Sequence, residues 1–122
     1  MEQSVWVRRI QDQATHNDGT RVLVDRLWPR GMKKEDVLFD HWNKDVAPST
    51  ELRQWYGHDP EKFDEFSRRY RRELETPAGQ RALHELRACV RGKRLTLLTA
   101  TKDVEHSQAA VLAKLLRPAG SP

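Results

Sequence analysis

Arg21-Val22-Leu23-Val24-Asp25-Arg26-Leu27-Trp28-Pro29-Arg30-Gly31 is the stretch whose reading decides the fold. Residues Arg21 to Val24 are β-branched and apolar enough for a buried strand. Pro29 cannot continue a ladder and Gly31 tolerates positive φ, so the chain must turn out of the sheet there. Asp25, Arg26 and Arg30 therefore fall at the carboxyl end of a strand, where open α/β sheets usually bind ligands.

Upstream, Val5 to Ile10 also has strand composition, and the segment Gln11 to Thr20 carries the turn signal Asn17-Asp18-Gly19. A gap of about ten residues is too short for a crossover helix, so the first two strands are expected to lie antiparallel in a mixed sheet. Downstream, Gly31 to Pro48 is irregular, with a short helical turn expected at Lys33 to Asp36 and an extended piece at Phe39 to Trp42. Its Leu38, Phe39, Trp42 and Val46 predict a packed flap near the Asp25 strand end. Ser49 or Thr50 caps a helix that Gly57 stops. Asp59-Pro60 then opens the longest helix, with Phe63, Phe66, Tyr70 and Leu74 as its apolar stripe and Asp64–Arg68 and Glu65–Arg69 as acid-first pairs. Thr76-Pro77 starts another helix, ended at Gly92.

Leu95 to Ala100 is a second buried strand, left through Thr101-Lys102-Asp103 for a helix from about Val104 to Leu116, with Asp103 placed to cap it and Pro118 to close it. These elements predict one α/β domain over residues 1–118, with a small mixed, largely parallel sheet flanked by helices, and a mobile tail over 119–122. A right-handed crossover would bring the Lys102 end beside the Asp25 end.

Composition narrows the function. The chain has 122 residues, 37% of them apolar, enough for one core, and its 22 basic residues against 18 acidic ones give a mild excess that suits anionic ligands. The single Cys89 excludes an internal disulfide and reads as core. No leader and no apolar run of about 20 residues is present, so a cytoplasmic, soluble protein without membrane contact is expected. The basic runs Arg68 to Arg72 and Arg91 to Arg94 are balanced by acids or explained by a helix end, so nucleic-acid binding is expected to be weak and non-specific at most. The five histidines are scattered and no CxxC or HExxH occurs, so neither a metal nor a cofactor is expected.

The candidate site joins the two strand ends. Arg26, Arg30 and Lys102 suit an anion; Asp25 or His106 could move a proton, with Asp103 as polar support. Asp103 and Glu105 place negative charge at the following helix start and oppose an anion there, and no glycine-rich phosphate loop helps. Trp28, Trp42 and Trp55 read as packing residues.

The order of these motifs, from Arg21 to Gly31 through Ala47-Pro48-Ser49, Leu52-Arg53, Trp55 and His58-Asp59-Pro60 with Phe66 and Tyr70 to Leu97-Leu98, Lys102-Asp103 and Glu105-His106, resembles the YeaO-like bacterial family, a domain-of-unknown-function group. The resemblance covers residues 5–117 and implies a fold but no established activity. The chain departs from the family pattern at Thr99, where an aromatic residue is common, and at Ser107, where asparagine usually follows the histidine. Any chemistry of that asparagine would be weakened here or pass to the Ser107 hydroxyl. The resulting expectation is a small enzyme or ligand-binding domain with a phosphate or carboxylate site at the strand ends beneath the flap. The alternatives are a nucleic-acid-associated module or a protein-interaction domain without catalysis; substrate and oligomeric state stay open.

Overall fold

A computed structural model describes residues 4–117. Among these residues, strands β1 (Ser4–Arg9), β2 (Thr20–Leu23), β3 (His41–Trp42) and β4 (Arg94–Thr99) form one sheet in the order β1-β4-β2-β3. The helices are α1 (Thr50–Tyr56), α2 (Phe63–Glu75), α3 (Pro77–Ala88) and α4 (Gln108–Leu116), with 3-10 turns at Lys34–Asp36, Pro60–Lys62 and Val104–His106. The α/β class holds. The expected Pro118 stop and the tail 119–122 lie outside the described residues.

The antiparallel pairing expected of the first two strands is overturned. β4 lies between β1 and β2, and every adjacent pair in the sheet is parallel. The expectation failed because a return path need not be helical. A six-residue strand such as β1 spans about 20 Å, and ten extended residues reach about 33 Å, so an irregular segment suffices. That segment ends at Gly19, whose φ of 67° is left-handed and whose missing side chain leaves room for the Arg94 carbonyl.

The two faces of the sheet are covered differently. Val5, Val22, Leu95 and Leu97 point to the helices, where Phe66, Tyr70, Leu74, Leu83, Leu86 and Leu112 complete the main core. Ile10, Leu23 and Leu98 point the other way, onto Trp28, Met32, Val37, Phe39 and Trp42. The strand period of two thus sends alternate residues to a helical layer and to the segment after β2. This segment is packed on the sheet face and reaches the Asp25 strand end through Trp42, but Leu38 is 73% exposed and takes no part in that packing. Trp28 and Trp42 meet edge to face at 5.6 Å, and their indole N–H groups donate to the carbonyls of Met32 and Asp25.

Local signals set the helix starts. The Ser49 hydroxyl accepts from the Leu52 N–H, Asp59 from Glu61 and Thr76 from Gly79, with Pro60 and Pro77 at first helical positions. Three details differ. The helix expected from Val104 is split at Ser107, which is extended at ψ 163° and caps α4 by accepting from the Ala110 N–H, so Asp103 is not the cap. The third helix ends at Ala88, before Gly92. Arg68 turns to Glu65 rather than Asp64, because Glu65 holds both Arg68 and Arg69, each at 2.8 Å.

Candidate functional site

The ladder between β2 and β4 runs one step past the strands, with the Val24 N–H donating to the Leu98 carbonyl at 3.1 Å. Asp25 is the next residue and turns its carboxylate across to the β4 end. One oxygen accepts from the Thr99 hydroxyl at 2.8 Å and from the Gln108 side-chain amide; the other accepts from the Ala100 N–H at 2.8 Å. Burial pushes the carboxyl above the usual aspartate value, against the lowering effect of the Ala100, Thr99 and Gln108 donors and of the Arg53 charge. Asp25 is therefore tied into the β2, β4 and α4 ends by three donors. Thr99 and Ser107 are both engaged: Thr99 holds Asp25, and the Ser107 hydroxyl caps α4 and donates to the Val104 carbonyl at 2.7 Å.

These strand ends open onto a cleft of about 390 Å³. Asp25 to Pro29 and Ala100-Thr101 line it from the strand ends, Arg53, Gln54, Tyr56 and His58 from α1 and the turn after it, and Ser107-Gln108 from the start of α4. Arg53 follows the buried Leu52 on α1, and its Nε is buried with no hydrogen-bond partner among the described residues. Arg26 also lines the cleft, yet it is partly occupied: its Nε and Nη2 donate to the Pro48 and Ala47 carbonyls at 3.4 and 3.3 Å. His58 holds a left-handed φ of 57° at the cleft wall. The Tyr56 hydroxyl turns away from the cleft to donate to the His106 carbonyl at 2.5 Å, and burial, with the charges of Asp103 and Asp59, raises its pKa to about 12.

Of the residues expected from the sequence, Asp25, Arg26 and Ser107 line this cleft. Arg30 and Lys102 are exposed and lie outside its lining. Asp103 and His106 pair with each other at 2.7 Å near the surface, with the imidazole edge-on to Phe63 at 5.2 Å. Arg53, Gln108 and His58 were not singled out as site residues by their types. The pairing of Leu52 with Arg53 among the family motifs was the one signal that touched the site's most available cation. Among the described residues no cluster of His, Cys, Asp or Glu could hold a metal ion, and no helix is long and apolar enough to cross a membrane.

Fold and cleft together define a small parallel α/β domain with a ligand-sized opening at its strand ends. The chain belongs to the DUF488-N3i family, whose model, described as the inactive DUF488-N3 subclade, matches residues 4–120. It is similar to an uncharacterised protein of Mycobacterium tuberculosis, with 51% identity over 94% of this chain and 95% of that one. It is also similar to the uncharacterised protein YeaO of Escherichia coli, at 39% identity over 93% of this chain and 97% of that one. No solved structure matches it.

Proposed function

We propose that this domain binds a small anionic molecule in the cleft at the carboxyl ends of β2 and β4, without converting it. The Arg53 guanidinium carries this reading. Arg53 lines the cleft and its guanidinium makes no hydrogen bond or ion pair among the described residues; its Nε is shut off by neighbouring atoms, so its terminal amino groups are the donors on offer. An anion would accept from those amino groups, and Arg26 adds a second positive charge to the lining. Binding without turnover is favoured by the word inactive in the description of the matching subclade. It also fits Asp25, whose oxygens already accept three hydrogen bonds and are poorly disposed to take a proton from a substrate. The nucleic-acid alternative has less support, since Arg68 and Arg69 are engaged by Glu65 and Arg94 stacks on Trp6 while donating to the Asn17 carbonyl.

The test is a thermal-shift screen with inorganic phosphate and simple carboxylates on the full chain. An anion that binds the native state raises the melting temperature with the logarithm of its concentration. The shift should vanish in Arg53→Gln while persisting in Arg30→Ala. No shift with any anion at millimolar concentration would overturn the reading.

A further inference from the structure

The geometry points to the carboxylate of a flat, apolar molecule, an aryl or indolyl monocarboxylate, as the class of ligand this cleft takes, with Arg53 on the carboxylate and the Leu27-Trp28-Pro29 rim against the ring. This inference rests on the anion-site reading and narrows it to one chemistry. Charge comes first. The cleft holds Arg26 and Arg53 against Asp25, and Arg26 is shared with two carbonyls. One guanidinium in surplus matches a monoanion. A phosphate dianion would set a second negative charge beside Asp25 with nothing to balance it. The donor set agrees, because the two terminal amino groups of a guanidinium meet a carboxylate as two parallel hydrogen bonds. Phosphate sites draw on several free backbone N–H groups; here the Ala100 N–H goes to Asp25 and the Ala110 N–H at the start of α4 goes to Ser107.

The body of the ligand is read from the Leu27-Trp28-Pro29 side of the lining. Leu27 lines the cleft and is 65% exposed, a large apolar side chain with little packed on it. Trp28 and Pro29 continue the same wall. The polar atoms of the aromatic walls are turned away: the Trp28 N–H is given to the Met32 carbonyl and the Tyr56 hydroxyl to the His106 carbonyl. Trp28, half-buried, can therefore meet a ligand through its ring, whereas Tyr56 is buried and stacked on Phe66. A volume of about 390 Å³ sits at the low end of small-molecule sites, which run from roughly 300 to 1,000 Å³, and suits one or two fused rings.

The experiment is calorimetric titration of the full chain with acetate, inorganic phosphate, benzoate, indole-3-acetate and the methyl ester of indole-3-acetate. The aryl acids should bind at least about tenfold tighter than acetate or phosphate, and the ester should not bind. Arg53→Gln should remove the preference for acid over ester. Leu27→Ser changes an exposed side chain and should weaken the aryl acids several-fold while leaving acetate unaltered. Phosphate binding that depends on Arg53, with aryl acids no tighter than acetate, would overturn this inference and leave the anion site standing. Ester binding equal to that of the acid overturns it too, as do aryl acids that bind Leu27→Ser as tightly as the unaltered chain. Silence from every anion sinks both readings.

Discussion

Two aspartate–arginine settings flank β2, and they have been built for opposite ends. At the entrance to the strand, the fully buried Asp18 meets Arg21 at 2.5 Å, accepts from the Thr15 N–H and hydroxyl at 3.2 and 2.9 Å, and lies 3.6 Å from Arg8. The remaining Arg21 donors reach the carbonyls of Leu38 at 2.6 Å and Asp12 at 3.3 Å. At the exit, Asp25 and Arg53 share a cleft without forming an ion pair, and Arg53 keeps a buried N–H unmatched. The same two residue types close one site and leave the other open. The difference is in the partners: a saturated pair fastens the 11–19 segment to the sheet, while an unsaturated guanidinium on a cleft has capacity left for a ligand.

The largest expected effect tests the closed pair. Arg21→Ala leaves the Asp18 charge buried with too few partners, and breaking a buried pair in this way costs about 3–5 kcal/mol. Arg53→Ala removes no hydrogen bond seen in the structure and should change stability by less than about 1 kcal/mol. Urea unfolding of the two variants at neutral pH measures both. An Arg53 variant destabilised as far as the Arg21 variant would end the distinction.

A smaller effect of opposite sign in the two sites appears in acid. Burial pushes the Asp18 carboxyl up, but the Thr15 hydrogen bonds and the Arg21 guanidinium outweigh it and hold the group below the usual 3.8. Its stabilisation is present above 3.8 and is lost as pH falls through the depressed value of the folded protein. Asp25 runs the other way, because burial raises its value above 3.8. Its contribution is complete below 3.8 and is lost as pH rises through the raised value. The stability deficit of Asp18→Asn relative to the unaltered chain should therefore shrink on acidification, whereas that of Asp25→Asn should grow. Urea midpoints taken from neutral pH down to about pH 3 give both slopes, and slopes of equal sign would refute the contrast.

Much of this architecture was legible because it is written in local terms. The apolar runs at β2 and β4, the cap-then-proline starts at Asp59 and Thr76 and the stripe from Phe63 to Leu74 are each specified within a few residues. Strand order was not, since the antiparallel expectation assumed that only a helix can return a chain, and the irregular 11–19 segment does so. The site divides along the same line. Asp25 and Arg26 follow a strand whose end is visible in Pro29 and Gly31, so their position could be read. Arg53 looks like any polar residue on a short helix, and only the packing of Leu52 and Tyr56 into the core sets it against the strand ends. Asp18 and Arg21 were hidden for a related reason: one belongs to a turn signal and the other to a strand, and the pair exists only because the turn brings positions three apart together.

The smallest expected effect bears on the two cations that the sequence placed in the site and the fold places beyond its lining. Arg30 and Lys102 are exposed, and substitutions at such positions usually move stability by no more than about 0.5 kcal/mol. Arg30→Ala and Lys102→Ala should therefore melt like the unaltered chain, and their titrations with a carboxylate should match it as well, because screened charges beyond direct contact add little at physiological salt. Low salt sharpens the measurement. A modest loss of affinity that disappears as salt is added marks long-range attraction and preserves the contrast between the open and closed sites. A loss in Arg30→Ala as deep as that in Arg53→Gln, and insensitive to salt, requires direct contact with the ligand. The Trp28 to Gly31 tip would then have to swing over the cleft on binding, and the open site could no longer be described by its resting geometry.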